Sequence, residues 1–145
     1  MVLLPDAGAS PVAPAFADGG EPKVLGLGLA RRTVMEASRT GYSRIYLLAR
    51  ERAAPAGITA ISNWGSLADA CAMQPGPLII THASVLAESD WLMRLIEIQT
   101  EPARWAATPH KMIVIAAPAV ASALAALEAD KGAYDLTAVQ ERLTR

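Results

Sequence analysis

Two stretches of the sequence carry residues whose types and spacing could bind a phosphate-bearing ligand. In the segment 24–34, two glycines are followed by two arginines, and a basic flank beside a glycine turn attracts phosphate. The second stretch ends at His82, whose imidazole comes directly after the apolar run 78–81. A side chain at the carboxyl end of a strand lies where α/β proteins place their ligands. Both stretches also have a structural interpretation, since arginines commonly solvate a helix face and a lone histidine commonly caps or packs.

The elements that must position these residues follow from the apolar pattern. Leu29, Val34 and Ala37 can share one apolar face while the charged residues lie mainly elsewhere, which predicts an amphipathic helix after the glycine-bearing turn. Gly41 is expected to end it, because glycine readily adopts the left-handed backbone angles of a helix C-cap. The continuous apolar run 45–49 then predicts an interior strand.

The rest of the chain repeats this alternation of strands and helices. Further strands are predicted at 2–4, 58–61, 78–81 and 112–116, and further helices at 64–73, 89–98 and 118–128, with 101–111 irregular. A last helix is expected to begin at Asp135 or at Thr137, with Gln140 completing a capping box in the second case. The alternation predicts a three-layer α/β/α Rossmann-like domain with a mainly parallel sheet. The long loop 6–20, rich in alanine, glycine and proline, stands where such domains carry ligand loops.

The glycine and arginine segment resembles a known family. It is similar to the V-x-G-x-P-L-x-R-R-T-V segment that follows the nucleotide loop in sugar-phosphate and alcohol-phosphate nucleotidyltransferases of the GT-A type. The matching residues are Val24, Gly26, Leu29, Arg31, Arg32, Thr33 and Val34, and Gly28 stands where the family has proline. In that family the segment leads into a helix, and a strand of the type found at 43–48 follows it.

The resemblance implies a ligand site at the carboxyl ends of the strands. Gly8 and Ser10 keep part of the family's A-x-G-x-G-[TS]-R nucleotide loop. Lys23 is either a shifted equivalent of its phosphate-contacting lysine or an ordinary surface lysine, since it directly precedes Val24 whereas the family has several residues between. The segment 82–86 resembles L-x-x-x-[AG]-D-V-L-F, with Ser84 at the position of the metal-binding aspartate. The expected ligand-binding residues are therefore Gly8, Ser10, Lys23, His82 and Ser84, with Mg²⁺ as the cofactor if a nucleotide is bound. No catalytic residue and no metal ligand is assigned.

The departures from the family pattern predict a domain that has lost catalytic parts. The second loop glycine and the loop arginine are missing, and a serine hydroxyl is a poor substitute for the carboxylate that holds a divalent cation. The resemblance thus implies binding, scaffolding or regulation rather than turnover; an active version would be a Mg-dependent nucleotidyltransferase. Related domains are fused to CDP-alcohol phosphatidyltransferases. This implies CTP or another NTP as ligand, a link to CDP-alcohol and phospholipid synthesis, and a membrane-embedded phosphatidyltransferase as partner or fused domain.

Two other functions remain open from the sequence. A Rossmann dinucleotide-binding domain is suggested by Gly26-x-Gly28 before a helix and by Glu51 after the next strand, although Arg31 occupies the third glycine position. The other is a soluble α/β protein-interaction domain without a small-molecule ligand. Its glycines would serve turns and its arginines would solvate helices.

Composition bounds these hypotheses. The 145 residues are 52% hydrophobic and 19% charged, which predicts one globular domain over 1–145, alone or as the soluble N-terminal part of a longer protein. The formal net charge of −1 argues against a nucleic-acid partner. Cys71 is the only cysteine, so it is expected to be a small buried thiol. The sequence shows no signal peptide and no apolar run of roughly 18 residues, so we expect a cytoplasmic location, including the cytosolic face of a membrane protein.

Overall fold

The computed structural model describes residues 1–4, 23–24, 27–48, 57–82, 89–97, 105–107, 112–131 and 135–145. Their class is mixed α/β, as predicted. The strands are β1 (Val2–Leu4), β2 (Lys23–Val24), β3 (Leu27–Gly28), β4 (Tyr46–Leu48), β5 (Thr59–Ile61), β6 (Leu78–His82), β7 (Trp105–Ala107) and β8 (Met112–Ile115). The helices are α1 (Leu29–Arg39), α2 (Trp64–Met73), α3 (Ser89–Glu97), α4 (Val120–Ala129) and α5 (Leu136–Thr144), with a 3-10 turn at Ala117–Ala119.

A six-stranded sheet in the order β5-β4-β1-β6-β8-β7 forms the centre of the fold. Strands β5, β4, β1 and β6 pair in parallel, whereas β8 is antiparallel to both β6 and β7. The connection from β7 to β8 explains the reversal, because it is too short for the crossover that a parallel pair requires. The prediction of an irregular segment over 101–111 is wrong at β7.

Two clusters of buried side chains pack on opposite faces of this sheet. Leu78 and Ile80 of β6 belong to one cluster, which includes residues of α2, α4 and α5. Ile79, between them in sequence, belongs to the other, which includes residues of α1 and α3. Successive side chains of a strand point to opposite faces, so burial on both faces accounts for the unbroken apolar run that predicted this strand.

The predicted stop of α1 at Gly41 is confirmed. Gly41 has a φ of 100°, and the N–H of Tyr42 donates to the carbonyl of Ala37 at 3.0 Å, which is the six-to-one bond of a Schellman motif. The Tyr42 hydroxyl then donates to the carbonyl of Leu92 at 2.9 Å. One turn therefore ends α1 and ties it to α3.

The start of α5 distinguishes between the two alternatives left by the sequence. The carboxylate of Asp135 accepts from the N–H of Ala138 at 2.9 Å, and α5 begins at Leu136. Asp135 is therefore the N-cap. The alternative capping box at Thr137 and Gln140 is wrong, because both residues lie inside the helix.

Candidate functional site

The strand order reverses between β1 and β6. From β1 the chain proceeds through α1 to β4 and β5 on one side, and then crosses through α2 to β6 on the other. In open α/β sheets, ligands bind outside the carboxyl ends of the strands at such a point of reversal. The register pairs Leu4 with His82, so β1 and β6 end side by side at the same edge. We call this the switch-point edge.

His82 is the predicted site residue that the structure describes at the switch-point edge. Its ring is half-buried, and its Nδ1 atom is excluded from solvent without a hydrogen-bond partner among the described residues. Alternation along β6 places His82 on the same face as Ile80, and its cross-strand neighbour there is Leu4. A buried polar atom without a partner costs about 1–3 kcal/mol, and such an atom is unusual enough to indicate a missing ligand or water.

The other predicted site residues are placed less fully. Gly8, Ser10 and Ser84 lie outside the described residues, so their part in a ligand site stays a prediction. Lys23 belongs to β2, where its backbone pairs with Gly28 of β3 in a small antiparallel hairpin immediately before α1. The sequence predicted only a glycine turn at this hairpin. The structure therefore gives Lys23 a backbone position only, and its part in a ligand site stays a prediction.

The N-terminus of α2 also lies at the switch-point edge, since α2 follows β5. Backbone N–H groups of its first turn already donate to protein side chains. The Asn63 side chain accepts from the N–H of Ser66 at 2.7 Å, and the Glu128 carboxylate accepts from the N–H of Gly65 at 2.8 Å. Sequence reasoning missed Glu128, and no local signal could have revealed it, because α4 contributes it from a distant part of the chain. This helix start is capped by protein groups, one of them an anion.

A cavity of about 220 Å³ lies at the opposite, amino edge of the sheet. It lies between the segments that precede β4 and β6, and its lining includes Met1, Arg44 and Cys71. The α-amine of Met1 donates to the carbonyl of Arg44 at 2.9 Å, and burial lowers its pKa from 8.0 to about 6. This cavity is separate from the predicted ligand site.

Cys71 is half-buried and free. Burial raises the pKa of its thiol, an effect opposed by the α-amine of Met1 and by Arg44. Because the thiolate is the reactive form, a raised pKa leaves Cys71 mostly as the unreactive thiol at neutral pH. This agrees with the structural role expected from the sequence.

In the described part of the chain, no three or more side chains of histidine, cysteine, aspartate or glutamate come together in an arrangement that could hold a metal ion. None of the helices in that part has the length and apolar character needed to cross a membrane.

No protein-family model, curated protein or solved structure matches this chain. The function must therefore be argued from the residues and geometry of the switch-point edge.

Proposed function

We propose that this chain is a degenerate nucleotidyltransferase-like domain that binds a nucleotide at the switch-point edge and does not turn it over. The observation that carries the proposal is the pairing of Leu4 with His82 at the reversal of strand order. Ligand sites of open α/β sheets occur at this location. The segments that resemble the family's nucleotide loop and metal-binding turn follow these two strands directly in sequence.

The finer fold assignment is part of the same proposal. A three-layer α/β/α Rossmann-like arrangement is supported by the two buried clusters, because α2, α4 and α5 contribute to one and α1 and α3 to the other. A sheet covered by helices on both faces leaves its strand ends as the natural opening for a ligand. His82 ends β6 beside that opening, and its Nδ1 atom has no hydrogen-bond partner within the described part of the chain.

The absence of turnover rests on the sequence. Nucleotidyl transfer needs a divalent cation on the triphosphate, and a carboxylate usually holds it. Ser84 stands at the position of that carboxylate. Mg²⁺ would therefore come with the nucleotide, held mainly by the phosphate oxygens, and the domain would act as a binding or regulatory unit linked to CDP-alcohol synthesis.

The hairpin of β2 and β3 gives the dinucleotide alternative little support. The G-x-G-x-x-G fingerprint requires a sheet strand that leads directly into a glycine turn and a helix. Here Gly28 belongs to a two-stranded antiparallel ribbon outside the main sheet. Gly28 thus lacks the structural context that places a pyrophosphate on a helix N-terminus.

Calorimetric titration tests the proposal. The 145-residue chain would be titrated with CTP, ATP, GTP, UTP and NAD, each with and without Mg²⁺. We expect saturable binding of at least one NTP, strengthened by Mg²⁺, and no comparable binding of NAD. Tighter binding of NAD would favour the dinucleotide alternative. If none of the five ligands binds, an interaction domain without a small ligand would be favoured.

A pyrophosphate-release assay tests the absence of turnover separately. We expect no release from the NTP that binds, with choline phosphate, glycerol 3-phosphate and inositol phosphate as acceptors. Robust release that depends on Mg²⁺ would show that a carboxylate outside the family position holds the metal.

A further inference from the structure

The position of His82 bears on which part of a bound nucleotide it meets. Because β6 alternates between the two buried clusters, His82 follows Leu78 and Ile80 on the face covered by α2, α4 and α5. Its cross-strand neighbour Leu4 is fully buried in the same cluster. The imidazole therefore borders on the apolar interior.

The surroundings of Nδ1 disfavour a phosphate as its partner. A phosphate carried into contact with an enclosed atom beside apolar side chains would lose its hydration, and burying such a charge is costly unless cations accompany it. A neutral imidazole nitrogen needs only one hydrogen bond, given or received. A nucleobase edge or a ribose hydroxyl can supply that bond with far less loss of hydration.

The half-buried ring also provides a route to this atom. The torsion about the Cβ–Cγ bond of histidine is broad and roughly two-fold. The ring can therefore turn within its site and admit a single hydroxyl or amide group to the enclosed nitrogen, while the buried Leu4 stays beside it.

We propose that His82 contacts the uncharged nucleoside part of the ligand, through a hydrogen bond from Nδ1 to the base or the ribose, and that the phosphates bind elsewhere along the switch-point edge. This inference rests on the proposed function. It makes His82 a residue that selects the nucleoside and contributes nothing to phosphate affinity.

The test compares ligands that share only one part of a nucleotide. CTP, or the NTP that binds most tightly in the panel above, would be titrated beside its 2′-deoxy form, the free nucleoside and inorganic pyrophosphate. The proteins are the unchanged chain, His82→Leu and His82→Asn. The control is Thr59→Val at an exposed position at the amino edge of the sheet. Circular dichroism and thermal unfolding establish that each variant folds.

We expect His82→Leu to weaken NTP and nucleoside binding by about three- to tenfold, the loss of one hydrogen bond, with pyrophosphate affinity unchanged. His82→Asn should retain part of the affinity, because its amide can place a polar atom near the position of Nδ1. It also keeps the test decisive if the leucine variant does not fold. Loss of the effect with the 2′-deoxy form identifies the 2′-hydroxyl as the partner, and persistence identifies the base or the 3′-hydroxyl.

Three outcomes would overturn the inference. A parallel loss of NTP and pyrophosphate affinity would make His82 a phosphate contact. Unchanged affinity for both would place His82 outside the site while leaving nucleotide binding in force. If the unchanged chain binds neither NTP nor pyrophosphate, both the proposed function and this inference are wrong.

Discussion

At the scale of single residues, the solvent-excluded Nδ1 atom of His82 affects stability even without a ligand, because it has no hydrogen-bond partner among the described residues. An enclosed polar atom without a hydrogen bond destabilises the folded state, whereas an apolar side chain of similar size at the same position does not. His82→Leu is therefore expected to match or exceed the stability of the unchanged chain, by up to about 1 kcal/mol. Urea unfolding without ligand measures this. A loss larger than that amount would show that the imidazole makes a stabilising bond in the free protein.

The α-amine of Met1 makes stability depend on pH. Its pKa falls from 8.0 to about 6 on folding because it is buried, so below pH 8 the unfolded chain binds a proton that the folded chain excludes. Stability is complete above pH 8, declines as the pH falls towards 6, and levels off below that value. The total loss is about 2–3 kcal/mol.

Denaturant unfolding between pH 5.5 and 8.5 measures this dependence. N-terminally acetylated chain is the matched control, since it keeps an N–H donor but cannot titrate. Both chains contain the same histidines, so the difference between their two plots of unfolding free energy against pH isolates the amine. Superimposable curves would mean that the amine is hydrated in the folded state.

Two predictions from the sequence at this scale rest on purely local signals. Gly41 was assigned to the end of α1 from the backbone angles that glycine can adopt, and Asp135 was one of two alternatives, with Thr137, for the start of the last helix. The structure places Gly41 and Asp135 at those helix ends. The contact of Glu128 with the N–H of Gly65 could not be predicted in this way, because nothing near either residue indicates the other.

At the scale of elements, the start of α2 depends on the Asn63 side chain, which accepts from the N–H of Ser66. Asn63→Ala removes this cap and should cost about 0.5–2 kcal/mol. Asn63→Ser is the matched control, because its hydroxyl can accept the same bond without adding a second negative charge beside the Glu128 carboxylate. Urea unfolding of the pair measures the cap. Equal losses in the two variants would trace the effect to packing of the side chain.

The link between α1 and α3 depends on Tyr42. Its hydroxyl donates to the carbonyl of Leu92 at 2.9 Å, and burial raises the pKa of this phenol above its ordinary value. Tyr42→Phe should cost about 0.5–1.5 kcal/mol and remove a phenol that ionises above the ordinary range in an alkaline absorbance titration. Loss of a phenol that ionises in the ordinary range would show that Tyr42 is hydrated.

Elements were predicted best where the pattern was continuous or strongly periodic. The predicted bounds of α2 and the predicted core of β6 agree with the structure, because the apolar pattern within each segment is enough to indicate its conformation. Strand β7 was missed because the three residues Trp105–Ala107 carry too short a pattern, and pairing with β8 defines the strand. The hairpin of β2 and β3 was missed for the same reason.

At the scale of the whole molecule, the sheet has a buried core on each face. Ile79 and Ile80 are adjacent in sequence and belong to different clusters. Each change to alanine should therefore cost about 2–5 kcal/mol. Thr59→Ala, at an exposed position, should change stability by less than about 0.5 kcal/mol. Chemical unfolding of the three variants measures this, and a small cost for either isoleucine would mean that one face of the sheet is poorly covered.

The topology could be predicted only in outline. Alternating strands and helices indicated parallel pairing, and the neighbours β1, β4, β5 and β6 show it. The reversal at β8 could not be foreseen, because the strand that makes the connection short was not recognised. The ligand site was predicted from the segments that follow Leu4 and His82 in sequence. The structure places Leu4 and His82 side by side at one edge of the sheet, and the roles of Gly8, Ser10 and Ser84 stay predictions.

The inner position of β1 also has a consequence for synthesis on the ribosome. Val2 pairs with Tyr46 on one side and with Ile80 on the other, so this strand is translated long before either neighbour exists. Pairing between distant segments is slow compared with local contacts. The sheet can form only after β6 has been translated. Until then β1 has no partner strands, and chaperones or the ribosome surface must protect it from aggregation.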